Sequence, residues 1–233
     1  MTRAAAVLAA LGTVRDPELD EPVTSLGFVS SCTVSADGVA DVRLRLPTYF
    51  CAPNFAFLMV ADAYDAVSGV DGVSRTAVVL EDHFASDSIN SGVAARSGFV
   101  ESFGDLAAGE LDRLRADFVR KAVLAGTDRV CRPLLAAGAT TDDLAGLTLG
   151  EVPPSADRER LRARRAELGL PSGDDSPLLI DTASGEAVGV QALPVHLRKA
   201  RLTRVSIEAN SGVCRGMLRT RYGTAGLGEE EDS

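Results

Sequence analysis

The stretch LGFVSSCTVSADGVADVRLRLPTYFCAPNFAFLMV, residues 26–60, decides the fold of the first half of the chain. Apolar and charged residues alternate along residues 39–46, which is typical of a strand with one covered face. Residues 26–35 predict a partner strand, joined to it by a tight Ala-Asp-Gly turn at residues 36–38. Pro53 suits the first position of a helix, and the apolar residues after it predict a largely buried helix that ends near Ser68.

Two further elements flank this stretch. Residues 4–11 are mostly apolar and predict a first helix, and residues 72–80 predict a third strand. The order helix, strand, strand, helix, strand is that of a small α+β unit, which we assign to residues 1–104. A short helix over residues 86–98 is expected to lead out of this unit.

The second half of the chain predicts helices first and β-hairpins after them. Its patterns favour helices over residues 106–125, 128–137 and 155–168, a hairpin over residues 178–190, and paired strands over residues 201–209 and 213–222. We therefore expect an α+β extension of unknown role over residues 105–222. The run of acidic residues near the end predicts a disordered tail over residues 223–233.

Charge and cysteine usage exclude several classes of function. The chain has 24 basic and 33 acidic residues, a net charge of -9, which disfavours binding to nucleic acid or to an anionic membrane. No apolar run approaches the roughly 20 residues that span a bilayer. The four cysteines are scattered without a Cys-x-x-Cys pair, so reduced thiols and a cytoplasmic location are expected. A self-contained zinc or iron-sulfur site is not encoded locally.

Cys51 is the residue that is best suited to bind a metal or to act as a nucleophile. It lies two residues before the predicted helix start at Pro53, where unpaired backbone amides favour a thiolate, the form that binds metals and attacks electrophiles. The alternative is a buried structural cysteine, because free cysteines are among the most buried residue types. The residue types alone leave both interpretations open.

A second short motif, Asp16-Pro17-Glu18, follows the first predicted helix. The proline fixes a turn, so the two flanking carboxylates cannot both lie on one regular helix face. One of them could cap a helix or coordinate a metal. On its own, such a triplet is more often an ordinary turn that connects a helix to a strand.

Taken together, residues 16–29 and the loop around Cys51 resemble the iron-sulfur cluster assembly accessory proteins of the SufT and PaaD type. The resemblance covers about residues 3–104. It implies a helix-strand-strand-helix-strand domain and a cofactor-binding site formed by Asp16, Glu18, Thr48 and Cys51. It also implies that Leu19 and Gly27 are structural members of the motif.

The resemblance further implies a non-enzymatic maturation factor in which Cys51 is a transient thiolate ligand to an iron-sulfur cluster or another metal. Its partners would be the assembly machinery or a client metalloenzyme, and relatives point to a multicomponent monooxygenase as the client. One thiol cannot hold a cluster alone, so a homodimer or a chain-plus-client site is expected. Two features depart from the family: Pro47 replaces a threonine, and the second half lacks a cysteine-rich end.

Two other functions remain open from the sequence. In one, the chain is a protein-interaction scaffold or chaperone for a partner enzyme, and Cys51 is structural. In the other, Cys51 and His83 form a nucleophile and base in a thiol-dependent hydrolase or transferase. Metal work requires an accessible Cys51, whereas catalysis requires His83 within hydrogen-bond reach of the thiol.

Overall fold

The structure, a computed structural model, describes residues 2–96 and 110–223. The chain divides into two units, one of which comprises the residues up to Asp112 together with those from Asn210 onward, while the other comprises residues 113–209. The predicted domain boundary at residue 104 and, apart from Gly223, the predicted acidic tail lie outside the described residues.

The first unit contains the predicted order of elements, which confirms the α+β class. The helices and strands are α1 (Arg3–Leu11), β1 (Val29–Val34), β2 (Val39–Arg45), α2 (Pro53–Ser68), β3 (Arg75–Glu81) and α3 (Ser86–Ala94). Helix α2 begins at Pro53 and ends at Ser68, as the sequence predicts. Pro53 needs no backbone donor at the first helical position, where the amide has no partner in the helix.

Strand β2 is the centre of a three-stranded sheet. It pairs antiparallel with β1 and parallel with β3, so that Val42 lies opposite Cys32 on one side and Val78 on the other. The parallel pair requires a crossover connection, which α2 supplies. The inward residues of β2 are buried in the same core as α2, which explains why this helix has so few polar positions.

The turn between β1 and β2 depends on Gly38. Its φ is +84°, a left-handed conformation that glycine adopts without a steric penalty. A Cβ added there would lie 2.4 Å from the carbonyl oxygen of Gly72, so the turn and the start of β3 are in close contact. The Ser74 amide donates to the Gly38 carbonyl at 2.8 Å, which ties the two segments together.

The second unit is helical and has its own buried core. It contains most of α4 (Glu110–Ala136), α5 (Thr141–Gly146), α6 (Ala156–Glu167) and the first part of α7 (Leu193–Tyr222). Helix α4 replaces the two helices predicted over residues 106–125 and 128–137, and residues 106–109 lie outside the described residues. Within the described ranges, no helix is both long and apolar enough to cross a membrane.

Gly126 explains why α4 continues where a break was expected. A Cβ at this buried glycine would lie 3.3 Å from a side-chain carbon of Leu161, so the missing side chain makes room for α6. The hydroxyl of the next residue, Thr127, donates a hydrogen bond to the Val123 carbonyl of the preceding turn. The glycine therefore serves packing and does not end the helix.

The strands predicted over residues 201–209 and 213–222 are wrong, because both segments lie in α7. Asn210-Ser211-Gly212 has the composition of a hairpin turn but is helical. The residues of α7 that are shielded from solvent recur at helical spacing. They include two polar side chains, Arg204 and Ser211, that are hydrogen-bonded to acidic residues. A hydrophobic pattern does not detect a helix face whose inward positions are partly polar.

The hairpin predicted over residues 178–190 is reduced to a turn. A single antiparallel bridge joins Ile180 to Ala187, and the Asp181 amide donates to the Glu186 carbonyl at 2.8 Å. Gly185 in this turn has a φ of +76°. A short 3-10 helix, Val190–Ala192, then leads into α7.

The arginine-rich helix α6 forms charge pairs within the helix and with the loop that follows it. Arg158 pairs with Glu159, Arg162 with Asp174, and Arg164 with Glu167. Arg165 is fully buried and donates to the Pro177 carbonyl at 2.8 Å, and burial lowers its pKa to about 10. The helix predicted over residues 155–168 is confirmed, and Arg165 anchors the loop that contains Pro177.

Replacement of Gly38 by alanine should destabilise the first unit by about 1–2 kcal/mol or more, because it adds both a left-handed strain and a steric clash. Gly69→Ala is the matched control. Gly69 has a φ of -80° and its added Cβ meets its nearest atom, outside its own neighbours, at 3.6 Å. Urea unfolding followed by circular dichroism should show a lower midpoint for Gly38→Ala alone; equal midpoints would contradict the assigned turn.

Candidate functional site

Cys51 lies in the loop between β2 and α2, at the end of the sheet where the parallel strands β2 and β3 both finish. Its thiol shares a hydrogen bond with the Thr48 hydroxyl, with 3.3 Å between Sγ and Oγ1. Cys51 and Thr48 are both half-buried. The structure therefore brings these two predicted site residues together and leaves the sulfur at the edge of the core.

The loop after β3 holds the Cys51 loop by its backbone. His83, only 3% exposed, places Nε2 at 2.7 Å from the Cys51 carbonyl oxygen. Its Nδ1 accepts from the Ala85 amide at 3.2 Å, so the proton is on Nε2 and Nε2 donates to the carbonyl. The Phe84 amide adds a bond to the Tyr49 carbonyl at 3.2 Å.

This geometry gives His83 a positioning role. Both ring nitrogens are engaged by backbone groups, and the one that faces Cys51 contacts its carbonyl and not its sulfur. A general base must reach the proton that it removes. The hypothesis of a Cys51 and His83 hydrolase or transferase is therefore not supported, and His83 is a buried, hydrogen-bonded histidine instead.

Asp16 and Glu18 have different environments in their shared turn. One carboxylate oxygen of Asp16 accepts the backbone amides of Glu18 at 2.9 Å and Leu19 at 2.8 Å. Asp16 is only 8% exposed, and Leu19, the predicted structural residue, is in the core. Glu18 is half-buried and accepts from Asn210 at 3.3 Å. Asp16 therefore shapes the turn, while Glu18 is directed towards the C-terminal helix.

Burial dominates the electrostatics of Asp16. It raises the pKa of the carboxyl from 3.8 to about 6, although the two amide hydrogen bonds act in the opposite direction. The neighbouring charges of Glu18 and Glu21 raise the pKa further. Part of the Asp16 population is therefore protonated in slightly acidic solution.

The last part of α7, residues 210–222, packs against this site within the first unit. Glu21 accepts from the Ser211 hydroxyl at 2.7 Å and forms an ion pair with Arg215. At the other end of the segment, Arg221 donates to the carbonyls of Leu46 at 3.2 Å and Asp82 at 2.6 Å. The segment is thus attached to the acidic turn and to the ends of β2 and β3.

Gly27 marks the closest approach of this helix. It has a φ of +78°, and a Cβ there would lie 3.3 Å from a methyl carbon of Leu218. The glycine that the sequence marks as structural thus allows both the turn and the helix contact. One helical turn before Leu218 is Cys214, which is half-buried and packs against the same core as Cys51.

Cys214 adds a second thiol to the neighbourhood. Burial raises its pKa to about 11, and the negative charges of Asp16, Cys51 and Glu18 contribute to the same shift. The predicted acidic turn and the predicted thiol loop therefore share Cys214 as an electrostatic neighbour. Among the described residues, however, no group of three or more His, Cys, Asp or Glu side chains is arranged to hold a metal ion.

Three exposed aromatic side chains lie beside Cys51. Tyr49 and Phe50 precede it, and Phe84 follows His83; Phe50 is 76% exposed. Their ring centroids are 5.0–6.3 Å apart, so they form one cluster across the two loops. Large aromatic residues on a surface are typical of protein interfaces.

The sequence does not predict the helix residues that pack beside this region, above all Cys214, Ser211 and Arg215. Their signal was present as a spacing of three and four residues, Ser211, Cys214 and Leu218, but the Asn-Ser-Gly composition favoured a turn. The basic side chains of Arg215 and Arg221 both bind acceptors of this chain.

Residues 4–79 match the family model described as iron-sulfur cluster assembly protein. The match begins in α1, ends in β3 and covers about a third of the chain, which confirms the predicted resemblance for this part. It includes Asp16, Glu18, Thr48 and Cys51 but neither His83 nor α7. The family indicates involvement in iron-sulfur cluster assembly. No curated protein and no solved structure matches the chain.

The pKa of Asp16 predicts a pH-dependent stability. The folded protein holds this proton more tightly than the unfolded chain, so stability should fall as the pH rises from about 4 to above 6, by up to about 3 kcal/mol for a change from 3.8 to about 6. Asp16→Asn keeps a side-chain oxygen that can accept the backbone amides of Glu18 and Leu19, but it removes the charge. Urea unfolding should show the variant more stable than wild type at pH 7 and similar at pH 4; no difference at pH 7 would contradict the prediction.

Proposed function

We propose that the protein is a non-enzymatic maturation factor that assists the assembly of an iron-sulfur cluster, or of another metal centre, in a client metalloenzyme. Cys51 is its transient thiolate ligand. The observation that carries the proposal is the family match over a domain in which Cys51 is half-buried and shares a hydrogen bond with the Thr48 hydroxyl. A thiol in such a place can exchange its hydrogen bond for a metal bond.

The surroundings support a ligand that is fixed in direction. The His83 bond to the Cys51 carbonyl and the Phe84 bond to the Tyr49 carbonyl restrain the backbone on both sides of the thiol. Groups of this kind orient metal ligands and tune their affinity. Asp16 and Glu18 shape the site in this proposal, Asp16 through the turn and Glu18 as a nearby carboxylate.

The cluster is a cargo that passes to a client. The proposed site supplies one thiolate, whereas iron-sulfur clusters usually take four, so the remaining ligands come from a second copy or from the client. The exposed cluster of Tyr49, Phe50 and Phe84 borders the thiol and is a suitable contact for that partner. We take a multicomponent monooxygenase as the client, by analogy with the relatives that the sequence resembles.

The same aromatic cluster favours a second function, that of a protein-interaction scaffold for a partner enzyme. In that case Tyr49, Phe50 and Phe84 bind the partner, and Cys51 only packs against the core. The two functions differ in two measurable properties. A scaffold binds its partner equally well with or without the Cys51 thiol, and it takes up no cluster.

Anaerobic reconstitution with iron and sulfide should separate these functions. Wild-type protein should develop the visible absorption of an iron-sulfur cluster, and Cys51→Ala should lose most of it, because the essential sulfur is gone. Cys32→Ala is the matched control, since Cys32 is also a half-buried free cysteine of the first unit but lies on β1.

The control should take up as much cluster as wild type. Equal uptake by wild type and Cys51→Ala would reject Cys51 as the ligand. If wild type takes up no cluster, either alone or mixed with an apo-client, the result favours the scaffold function and rejects the maturation function.

A further inference from the structure

The first part of α7, residues 193–209, lies in the second unit and has apolar side chains on two opposite sides. Its buried apolar residues recur every seven positions, at Leu193, Ala200 and Ile207. Val195 and Leu202 repeat the same spacing two positions later, and they are 68% and 63% exposed. Two residues correspond to about 200° around an α-helix, so the second series lies opposite the buried one.

Val205 and Ala209 extend the exposed series. We call the four residues the outward face of α7: Val195, Leu202, Val205 and Ala209. Their spacings of seven, three and four residues are those of a coiled-coil seam, in which apolar residues at two positions of each heptad pack against another helix. Single exposed apolar residues are normal on a protein surface, but a regular stripe along one helix indicates a contact surface.

The charge on and beside the outward face is positive. Arg198 lies between Val195 and Leu202 on the same side of the helix, and Lys199 and Arg201 flank it. All three basic side chains are exposed, and none of them forms an ion pair with a residue that the structure describes. The outward face therefore combines an apolar stripe with three cations that await a partner.

The acidic residues of the neighbourhood are already paired. Glu208 is the one acidic residue in the first part of α7, and it pairs with Arg204 and Arg129. On α4, Asp128 pairs with Arg204 at 2.6 Å. Arg132 follows Asp128 by one helical turn and is exposed, so it adds a further positive charge on this side of α4.

These observations favour an acidic protein helix over other occupants of the outward face. A second copy of the chain would bring the same cations against each other, because its only acidic residue in this part of α7 is already paired. Nucleic acid and anionic membranes would attract the cations, but both repel a chain of net charge -9. Nucleic acid also exposes a charged backbone that has no use for an apolar stripe.

We infer that the outward face of α7 is a docking surface for an amphipathic, acidic helix of a partner protein. The partner helix packs its apolar side chains along the stripe and directs its carboxylates to Arg198, Lys199 and Arg201. In coiled coils, charges that flank the seam select the partner in this way. The inference goes beyond the function proposed for Cys51, because this surface belongs to the second unit.

Fluorescence anisotropy with a synthetic peptide tests the inference. The probe is a fluorescein-labelled peptide of about three heptads, with leucine at the two seam positions and glutamate at the two flanking positions of each heptad. Wild type should bind this probe. Leu202→Ser, which removes apolar contact area, should raise the dissociation constant about tenfold. The double variant Arg198→Glu, Lys199→Glu should raise it by about the same factor or more through charge repulsion.

Val213→Ser and Arg219→Glu are the matched controls, because both residues are exposed on the same helix but belong to the first unit. They should bind the acidic peptide as wild type does. A second peptide, with lysine in place of every glutamate, should not bind to wild type. Failure of wild type to bind the acidic peptide, or equal binding by wild type and Leu202→Ser, would overturn the inference. Binding to phosphatidylglycerol vesicles but not to the peptide would overturn it in favour of a membrane.

A measurement on wild type alone locates the bound peptide. Hydroxyl-radical footprinting, read by mass spectrometry, should show that a saturating amount of the acidic peptide lowers the modification of Val195, Leu202 and Val205. The modification of Val213 and Met217, which are also exposed, should not change. Protection of the last two residues without protection of the first three would place the peptide elsewhere and overturn the inference.

Discussion

The parallel pairing of β2 with β3 is the constraint on which the site depends. Parallel strands end at the same edge of a sheet, so the loops that follow Arg45 and Glu81 must emerge side by side. Two hydrogen bonds then join these loops, one from the His83 side chain to the Cys51 carbonyl and one from the Phe84 amide to the Tyr49 carbonyl. The thiol is placed by the pairing of strands that lie far apart in sequence, and α2 fills the space that the crossover requires.

Much of the first unit could be predicted because its signals are local. Alternation along β2, the Ala-Asp-Gly turn and Pro53 each specify a backbone conformation within a few residues, and the observed elements agree with them. The family resemblance predicts, from the sequence alone, that Asp16, Glu18, Thr48 and Cys51 form the site. The structure brings Thr48 and Cys51 into direct contact and places Asp16 in the turn.

The parts that could not be predicted depend on distant partners. Ser211 and Arg204 lie on the inward face of α7 only because Glu21 and Asp128 accept their hydrogen bonds. Gly126 remains helical because Leu161 takes up the space beside it. Local composition favours a turn at Asn210-Ser211-Gly212 and a break at Gly126, and tertiary contacts override both preferences. The role of His83 also depends on a distant partner, the Cys51 carbonyl, which lies 32 residues earlier in the sequence.

The position of residues 210–222 late in the sequence also affects the order in which the first unit can form during synthesis. Cys51 precedes Cys214, which lies in this segment, by 214 minus 51, or 163, residues. At about 5–20 residues per second, the ribosome needs roughly 8–33 seconds to make the chain between them. The nascent domain therefore presents Cys51 and the aromatic cluster to the surrounding solution before residues 210–222 exist to pack against the acidic turn.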